Sequence, residues 1–467
     1  MKKKYIVILS ILTIIIASIL IVLNINNINN SNGFNSDVVS GTFEYEQSIT
    51  NESIESTYYY SDAYFEDSSE KENAHLRTFA MSITLALNPT YRKDNIHYNI
   101  DKLLNELKFI DTEYYDMEEF SKDTIGTVIS KKKLNEDYDL IVVVLRGAGY
   151  QKEWLSNFDL GTDGNAKGFE DASKIVLERL KKYINDNKIN KYKLLVTGYS
   201  RSAAVAGLVG VNINNNLSDF NINKDDLYVY CYESPRYSNS DVKYNNIHNV
   251  INKNDIITYV YPESWGFYHS GVDEDITTNE SNIEQKYLNI FASEKIITTG
   301  RIDKQTFIKK FISLLPGDRN KYLEISKSIS NLYELFSNKN SNEKKIIIDF
   351  LMNSNIDFDL SSLITIYSLI DSNNKQDSKK YFDSLLSSYD SEYDQIKNVL
   401  NKQEYNQLKE DIFNMYFFLQ PMIKQENNND KKFINILTFA LNANELFKEH
   451  YFSVNFEQVK KLDSYYK

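Results

Sequence analysis

A serine hydroxyl attacks carbonyl carbon only when a base takes its proton, so a catalytic serine has to be presented to a partner. The stretch Leu194-Leu195-Val196-Thr197-Gly198-Tyr199-Ser200-Arg201-Ser202-Ala203-Ala204-Val205-Ala206-Gly207 has the pattern for it. An apolar run stops at Gly198, Ser200 follows, and small residues continue the chain. That sequence predicts a buried strand, a sharp turn with the serine at its apex, and a helix. The turn exposes the hydroxyl and aims the helix N-terminus at a developing oxyanion. Many structural turns match so short a pattern, so the base and the acid must be sought elsewhere in the chain. There are five histidines. Where a serine is presented this way, the order along the chain is serine, acid, histidine. His75 and His97 come too early, which leaves His248, His269 and His450 open as the base. Asp255 ends the turn Asn252-Lys253-Asn254-Asp255 just after a strand pattern, where sheets present loop residues to a site.

The elements that must position these residues follow from periodicity. Residues 140–145 (Leu-Ile-Val-Val-Val-Leu) form a continuous β-branched run, as in a strand buried on both faces of a parallel sheet. Residues 169–184 have helical amphipathic spacing, and 227–232 and 249–251 read as further strands. Strands alternating with helices over 140–276 predict an α/β domain with a mainly parallel sheet. Ahead of it, 74–87 and 100–110 predict helices. Behind it, 307–315, 344–352, 361–370 and 410–419 predict helices separated by Asn/Ser/Lys-rich breaks, a large helical insertion or cap over 285–445. The resulting division is 1–23, a polar stalk over 24–56, an α/β core with a helical lead-in over 57–284, the helical cap, and a segment 446–467 that returns His450.

Composition narrows the function further. Lys2, Lys3 and Lys4 precede an uncharged apolar run over 5–23, which predicts a signal anchor, or a signal peptide if cleaved. Either way the remainder is exported, anchored to the extracellular face of the membrane or secreted. A net charge of −12 argues against a nucleic-acid partner, which calls for a basic face. Cys231 is the only cysteine, so no intrachain disulfide forms, and its apolar surroundings predict a buried thiol. Asp159, Asp163 and Asn165 lack the full spacing of a calcium loop and read as a solvated loop. No metal and no cofactor is expected.

The ordered motifs resemble those of the class 3 (fungal-type) lipases, a family of α/β-hydrolases. Val143-Val144-Leu145-Arg146-Gly147-Ala148-Gly149-Tyr150-Gln151-Lys152-Glu153-Trp154 is similar to the family's strand-Arg-Gly-x(6)-Trp segment, and Gly198-Tyr199-Ser200 to its nucleophile turn. Glu233-Ser234-Pro235-Arg236, Asn252-Lys253-Asn254-Asp255-Ile256-Ile257 and Gly266-Phe267-Tyr268-His269-Ser270-Gly271 resemble its later motifs. The resemblance implies Ser200 as nucleophile, Asp255 as acid, and an oxyanion hole from the backbone N–H groups of Ala148 and Arg201. It also implies that the base is not the nearby His269, kept as the alternative, but His450, whose context Glu449-His450-Tyr451-Phe452 resembles that of the family's C-terminal base. The implied activity is hydrolysis of a carboxylic ester, an acylglycerol or other lipid ester, through an acyl-enzyme. Ser202 in place of the second glycine of Gly-x-Ser-x-Gly, Ala148 and Ala166 depart from the family pattern. They leave a second reading, a surface-binding protein on a lipase-like scaffold with decayed chemistry.

Overall fold

The computed structural model describes residues 34–47, 52–87, 97–117, 125–147, 151–277, 319–353, 393–424 and 447–467, with a few isolated positions between 305 and 384. The apolar run 5–23 and the expected helix 361–370 lie outside the described residues, as does most of 307–315. Among the described residues, no helix is long and apolar enough to cross a membrane.

A seven-stranded sheet runs in sequence order. Its members are β3 (Ile110–Tyr115), β4 (Thr127–Lys133), β5 (Asp139–Leu145), β6 (Tyr192–Tyr199), β7 (Leu227–Tyr232), β8 (Tyr244–Ile251) and β9 (Gly271–Asp275). The first three pair antiparallel and the last five parallel. The central strands β5, β6 and β7 are mostly apolar because both faces are covered, and their side chains sort by the two-residue period of a strand. Leu140, Val142 and Val144 of β5 enter the core on one face, with Leu195 and Tyr199 of β6 and the tyrosines 228, 230 and 232 of β7. Ile141, Val143 and Leu145 enter the core on the other face, with Leu194, Val196, Val229 and Cys231.

Helices α3 (Lys167–Asp186) and α4 (Arg201–Asn215) cover the second face. The first is covered by α1 (Ala74–Ala86) and α2 (Tyr98–Glu106), and by a hairpin of β1 (Val39–Gln47) and β2 (Glu52–Tyr60). This hairpin corrects the expectation of a polar stalk over 24–56. Phe43 and Tyr45 alternate with Thr42 and Glu44, and Tyr58 and Tyr60 answer them from β2, so the aromatic side chains of one face of the hairpin are buried. The helix expected over 100–110 also ends earlier, at Glu106, because the chain turns at Lys108 (φ 63°) and enters β3.

Beyond the sheet the described chain is helical: α5 (Arg319–Ser337), α6 (Ser341–Asn353) and α7 (Lys402–Lys424). Ile347, Phe350, Ile396, Leu400, Tyr405, Leu408 and Phe413 give this region its own small core. It docks on the α/β core through the start of α5. Tyr322 donates a hydrogen bond to the Phe158 carbonyl (3.2 Å) and packs on Trp265, ring centroids 5.1 Å apart. The guanidinium of Arg319 donates to the carbonyls of Gly161 (2.9 Å), Gly164 (3.0 Å), Asp163 (3.0 Å) and Leu160. The loop expected to be solvated therefore turns its carbonyls onto a cation from this chain. The segment then closes with α8 (Phe452–Lys461), which packs against the β1–β2 hairpin. A mainly parallel sheet, helices on both faces and a large helical insertion before the last helix make this an α/β-hydrolase fold.

Candidate active site

The strand β6 ends in an abrupt reversal. Ser200 takes φ 58° and ψ −125°, a conformation that costs a non-glycine residue about 1–3 kcal/mol. The turn holds because the neighbouring backbone is fully engaged. The Ser200 N–H donates to the Tyr232 carbonyl of β7 (2.8 Å), and the Ser200 carbonyl receives the N–H groups of Ala203 (2.9 Å) and Ala204 (3.2 Å). Gly198 is required by space, since a Cβ there would lie 2.5 Å from the Ser202 carbonyl oxygen. Ser202, the departure from the glycine pattern, stitches the turn: its Oγ accepts the Tyr199 N–H (2.8 Å) and donates to the Leu145 carbonyl (3.0 Å).

Asp255 is completely buried in the turn after β8. Its own N–H donates to the Asn252 carbonyl (2.9 Å), and its Oδ1 accepts the Ile257 N–H (2.9 Å), capping the short 3₁₀ helix Ile256–Tyr259. The other oxygen, Oδ2, lies 2.5 Å from Nδ1 of His450. His450 Nε2 in turn lies 2.7 Å from Ser200 Oγ. With the proton on Nδ1 held by Asp255, Nε2 is left as an acceptor for the serine hydroxyl. Three residues separated by up to 250 positions thus form one hydrogen-bonded chain.

His450 reaches this place because its backbone is clamped. Tyr199 OH donates to the His450 carbonyl (2.9 Å) and accepts from Asn455 Nδ2 (2.8 Å). Asn455 Nδ2 also donates to the Glu449 carbonyl (2.7 Å), and Tyr199 stacks on Phe452 with centroids 3.7 Å apart. Asn252 ties the acid's turn to the base's segment, donating from Nδ2 to Glu449 Oε2 (3.0 Å) and Asn455 Oδ1 (3.1 Å). Asn455 was not singled out by the sequence, and Tyr199, like Asn252 and Glu449, stood there only as a motif position without a task. The motif spacing around Asp255 and His450 was the one signal pointing to the latter pair.

The remaining candidates sit apart from this chain. His269 is buried, with Nε2 donating to the Ser234 carbonyl (2.9 Å) and Nδ1 3.8 Å from Asp273. Burial lowers its pKa to about 4. His248 bonds Glu274 (2.7 Å) and the Ser69 carbonyl (2.8 Å). Arg201 opens α4, where helix geometry leaves first-turn N–H groups without an intrahelical acceptor. Its buried side chain turns away, donating from Nε to Ser156 Oγ (2.9 Å). Ala148 lies outside the described residues, and the side chain of Trp154 and those of 415–418 are likewise undescribed. Cys231 is a buried free thiol whose pKa burial pushes up. Among the described residues no group of three His, Cys, Asp or Glu side chains is arranged to hold a metal ion.

Residues 142–265 match the family model of the lipases of class 3. Curated lipases of Rhizopus niveus and Rhizopus oryzae are each 29% identical over 99 residues, 20% of this chain and 25% of theirs. The chain thus spans a quarter of the length of the curated relatives it matches. Among solved structures, a Rhizomucor miehei lipase propeptide complex is 21% identical with a TM-score of 0.33, covering 45% of this chain and 70% of that one. The lipase of Rhizopus microsporus var. chinensis is 19% identical with a TM-score of 0.34, covering 45% and 77%. The matched segment runs from β5 through the turn after β8, carries Ser200 and Asp255, and is the part of this chain that is similar to the class 3 lipases.

Proposed function

We propose that this protein is a serine hydrolase that cleaves carboxylic esters of lipids, with Ser200 as nucleophile, His450 as general base and acid, and Asp255 as the group that orients His450. The observation that carries the proposal is the hydrogen-bonded chain from Ser200 Oγ through His450 to Asp255. In the first half-reaction Ser200 Oγ attacks the ester carbonyl carbon while its proton passes to His450 Nε2. The tetrahedral adduct collapses by breaking the bond to the alcohol oxygen, which takes that proton from His450. Water then attacks the acyl-serine, His450 receives its proton, and the adduct breaks to free acid and restored Ser200.

The negative charge on the carbonyl oxygen falls beside the first turn of α4, where the Arg201 N–H is one donor. Ala148 supplies the second from its backbone, since alanine has no side-chain donor. Each such donor is worth about 3–4 kcal/mol in the transition state. The family match of 142–265 supports a lipid ester as the substrate class. The helical region between Asp255 and His450 adjoins the site in sequence on both sides and serves as its cap.

The decisive experiment is labelling of the purified protein by a fluorophosphonate, which modifies only an activated serine. Ser200→Ala is expected to lose all labelling and all turnover of a short-chain ester. A natively folded wild-type protein that never labels would sink the hydrolase reading and leave a binding protein on a lipase-like scaffold.

A further inference from the structure

One buried acid beside the triad is given no task by the hydrolase mechanism, on which the following rests. Glu233 is the first residue after β7, fully buried, and it adopts φ 49°. In that left-handed region glycine is at ease, whereas a residue with a Cβ is strained. A glycine would make the same turn without burying a carboxyl group. The side chain must therefore offset both the strain and its own desolvation.

Its surroundings show how. Both oxygens of Glu233 lie against the Asn252 N–H, at 2.9 and 3.1 Å, in the turn whose Asn252 carbonyl accepts the Asp255 N–H (2.9 Å), so the two carboxyl groups are neighbours in one buried turn. Asp255 already accepts the Ile257 N–H on one oxygen and His450 Nδ1–H on the other. Two such neighbouring carboxyl groups share a proton, because two adjacent buried anions repel strongly. Asp255 has a separate donor on each of its oxygens, whereas the two oxygens of Glu233 share one N–H, so the proton belongs to Glu233. Burial, the charge of Asp255 and that of Glu449 all push the Glu233 pKa well above the usual carboxylate range. Tyr199, at the end of β6, is a further titratable group near it, held neutral by burial and by the charge of Asp255.

We infer that Glu233 is a positioning residue of the triad: as a neutral acid clamped on the Asn252 N–H, it donates its O–H to Asp255 and fixes the carboxylate that orients His450. The turn after β7 and the turn after β8 are thereby locked together beside Asp255. Ionisation of Glu233 places a second anion against Asp255 and forces the two turns apart.

The test compares wild type, Glu233→Gln and Glu233→Gly in the full chain. Glycine removes the donor and relieves the backbone strain. Glutamine keeps a donor and an acceptor in the same shape and cannot ionise. On a short-chain p-nitrophenyl ester, Glu233→Gly is expected to lose roughly tenfold in kcat with KM unchanged, the cost of a slightly misplaced base. Glu233→Gln is expected to restore kcat to within about twofold and to lack the alkaline fall in activity that ionisation of Glu233 produces in wild type. A glycine variant with wild-type kcat and an identical pH profile overturns the inference. The ¹⁵N NMR signals of the His450 ring, compared in all three proteins, separate this inference from the hydrolase reading, since they need no turnover. An Nδ1 signal that moves in Glu233→Gly and returns in Glu233→Gln supports the coupling even if the wild type never labels. A signal unmoved in both variants overturns it.

Discussion

At the scale of single residues, the site depends on which nitrogen of one imidazole carries a proton. Asp255 is buried with no exposure to water and presents an oxygen at 2.5 Å to His450 Nδ1. That arrangement selects the tautomer in which Nε2 faces Ser200 as an acceptor. Asparagine at 255 would keep the shape, but its amide N–H₂ can face Nδ1 and hold the opposite tautomer. Asp255→Asn is therefore expected to fold normally and to lower kcat on a short-chain ester by roughly 10³–10⁴-fold, with KM little changed. Circular dichroism together with steady-state kinetics checks both halves of this outcome. The type and order of Ser200 and Asp255 were legible in the sequence because a strand-turn-helix nucleophile and a post-strand acid leave local signatures. The residues that aim them were not. Tyr199 and Asn455 act through hydrogen bonds spanning more than 250 positions, and neither leaves a local pattern that a short window can detect.

At the scale of elements, β5, β6, β7 and the end of β8 were legible because double-sided burial writes itself as apolar runs, as in β5 and β7, whereas the exposed, acidic edge strand β9 leaves no such run. The β1–β2 hairpin escaped notice since its buried positions are aromatic and sit among glutamates and serines, in a stretch that is polar on average. A second element-level feature is the link that His269 makes between the turn after β7 and the middle of β9, through Ser234 and Asp273. Burial depresses its pKa to about 4, against 6.5 for a solvated histidine. Between those values the unfolded chain binds a proton that the folded chain refuses, so stability rises with pH across this window and falls on acidification. At pH 5 this one group will have removed roughly 2 kcal/mol relative to pH 7. Glu274 and Asp275 work in a separate range. For both, burial is outweighed by partners (His248 and Arg77, Lys253 and Thr277), so their carboxyls titrate below the ordinary value and act only in stronger acid. His269→Gln is expected to flatten the loss of melting temperature between pH 7 and pH 5, as read by thermal denaturation. A variant with the full wild-type slope would assign the acid sensitivity to other groups.

At the scale of the whole molecule, the two ends of the described chain meet behind the site. The hairpin near the start and α8 at the end pack together, with Phe456 6.0 Å from Phe43 and 5.7 Å from Tyr45 between ring centroids. Tyr466 OH donates to the Thr57 carbonyl (2.8 Å), and Asp463 pairs with His75 at the start of α1 (2.7 Å). None of these residues touches the serine, yet they hold the helix that begins two residues after His450. The α/β sheet fixes Ser200 and Asp255 from its own core, whereas His450 depends on this terminal clasp. Loss of the clasp should therefore uncouple chemistry from folding. Phe456→Ala removes a fully buried ring, a change worth about 3–5 kcal/mol in a packed core. Because α8 is a short terminal helix, that loss is expected to appear first as local release of residues 447–467, with the sheet still folded. Three measurements on one sample check it. Fluorophosphonate labelling should fall by more than tenfold, amide exchange should rise along α8, and exchange in β5, β6 and β7 should stay at the wild-type level. Uniformly faster exchange across the sheet would show instead that the clasp belongs to the single cooperative core, and that His450 is held by the same free energy that holds Ser200.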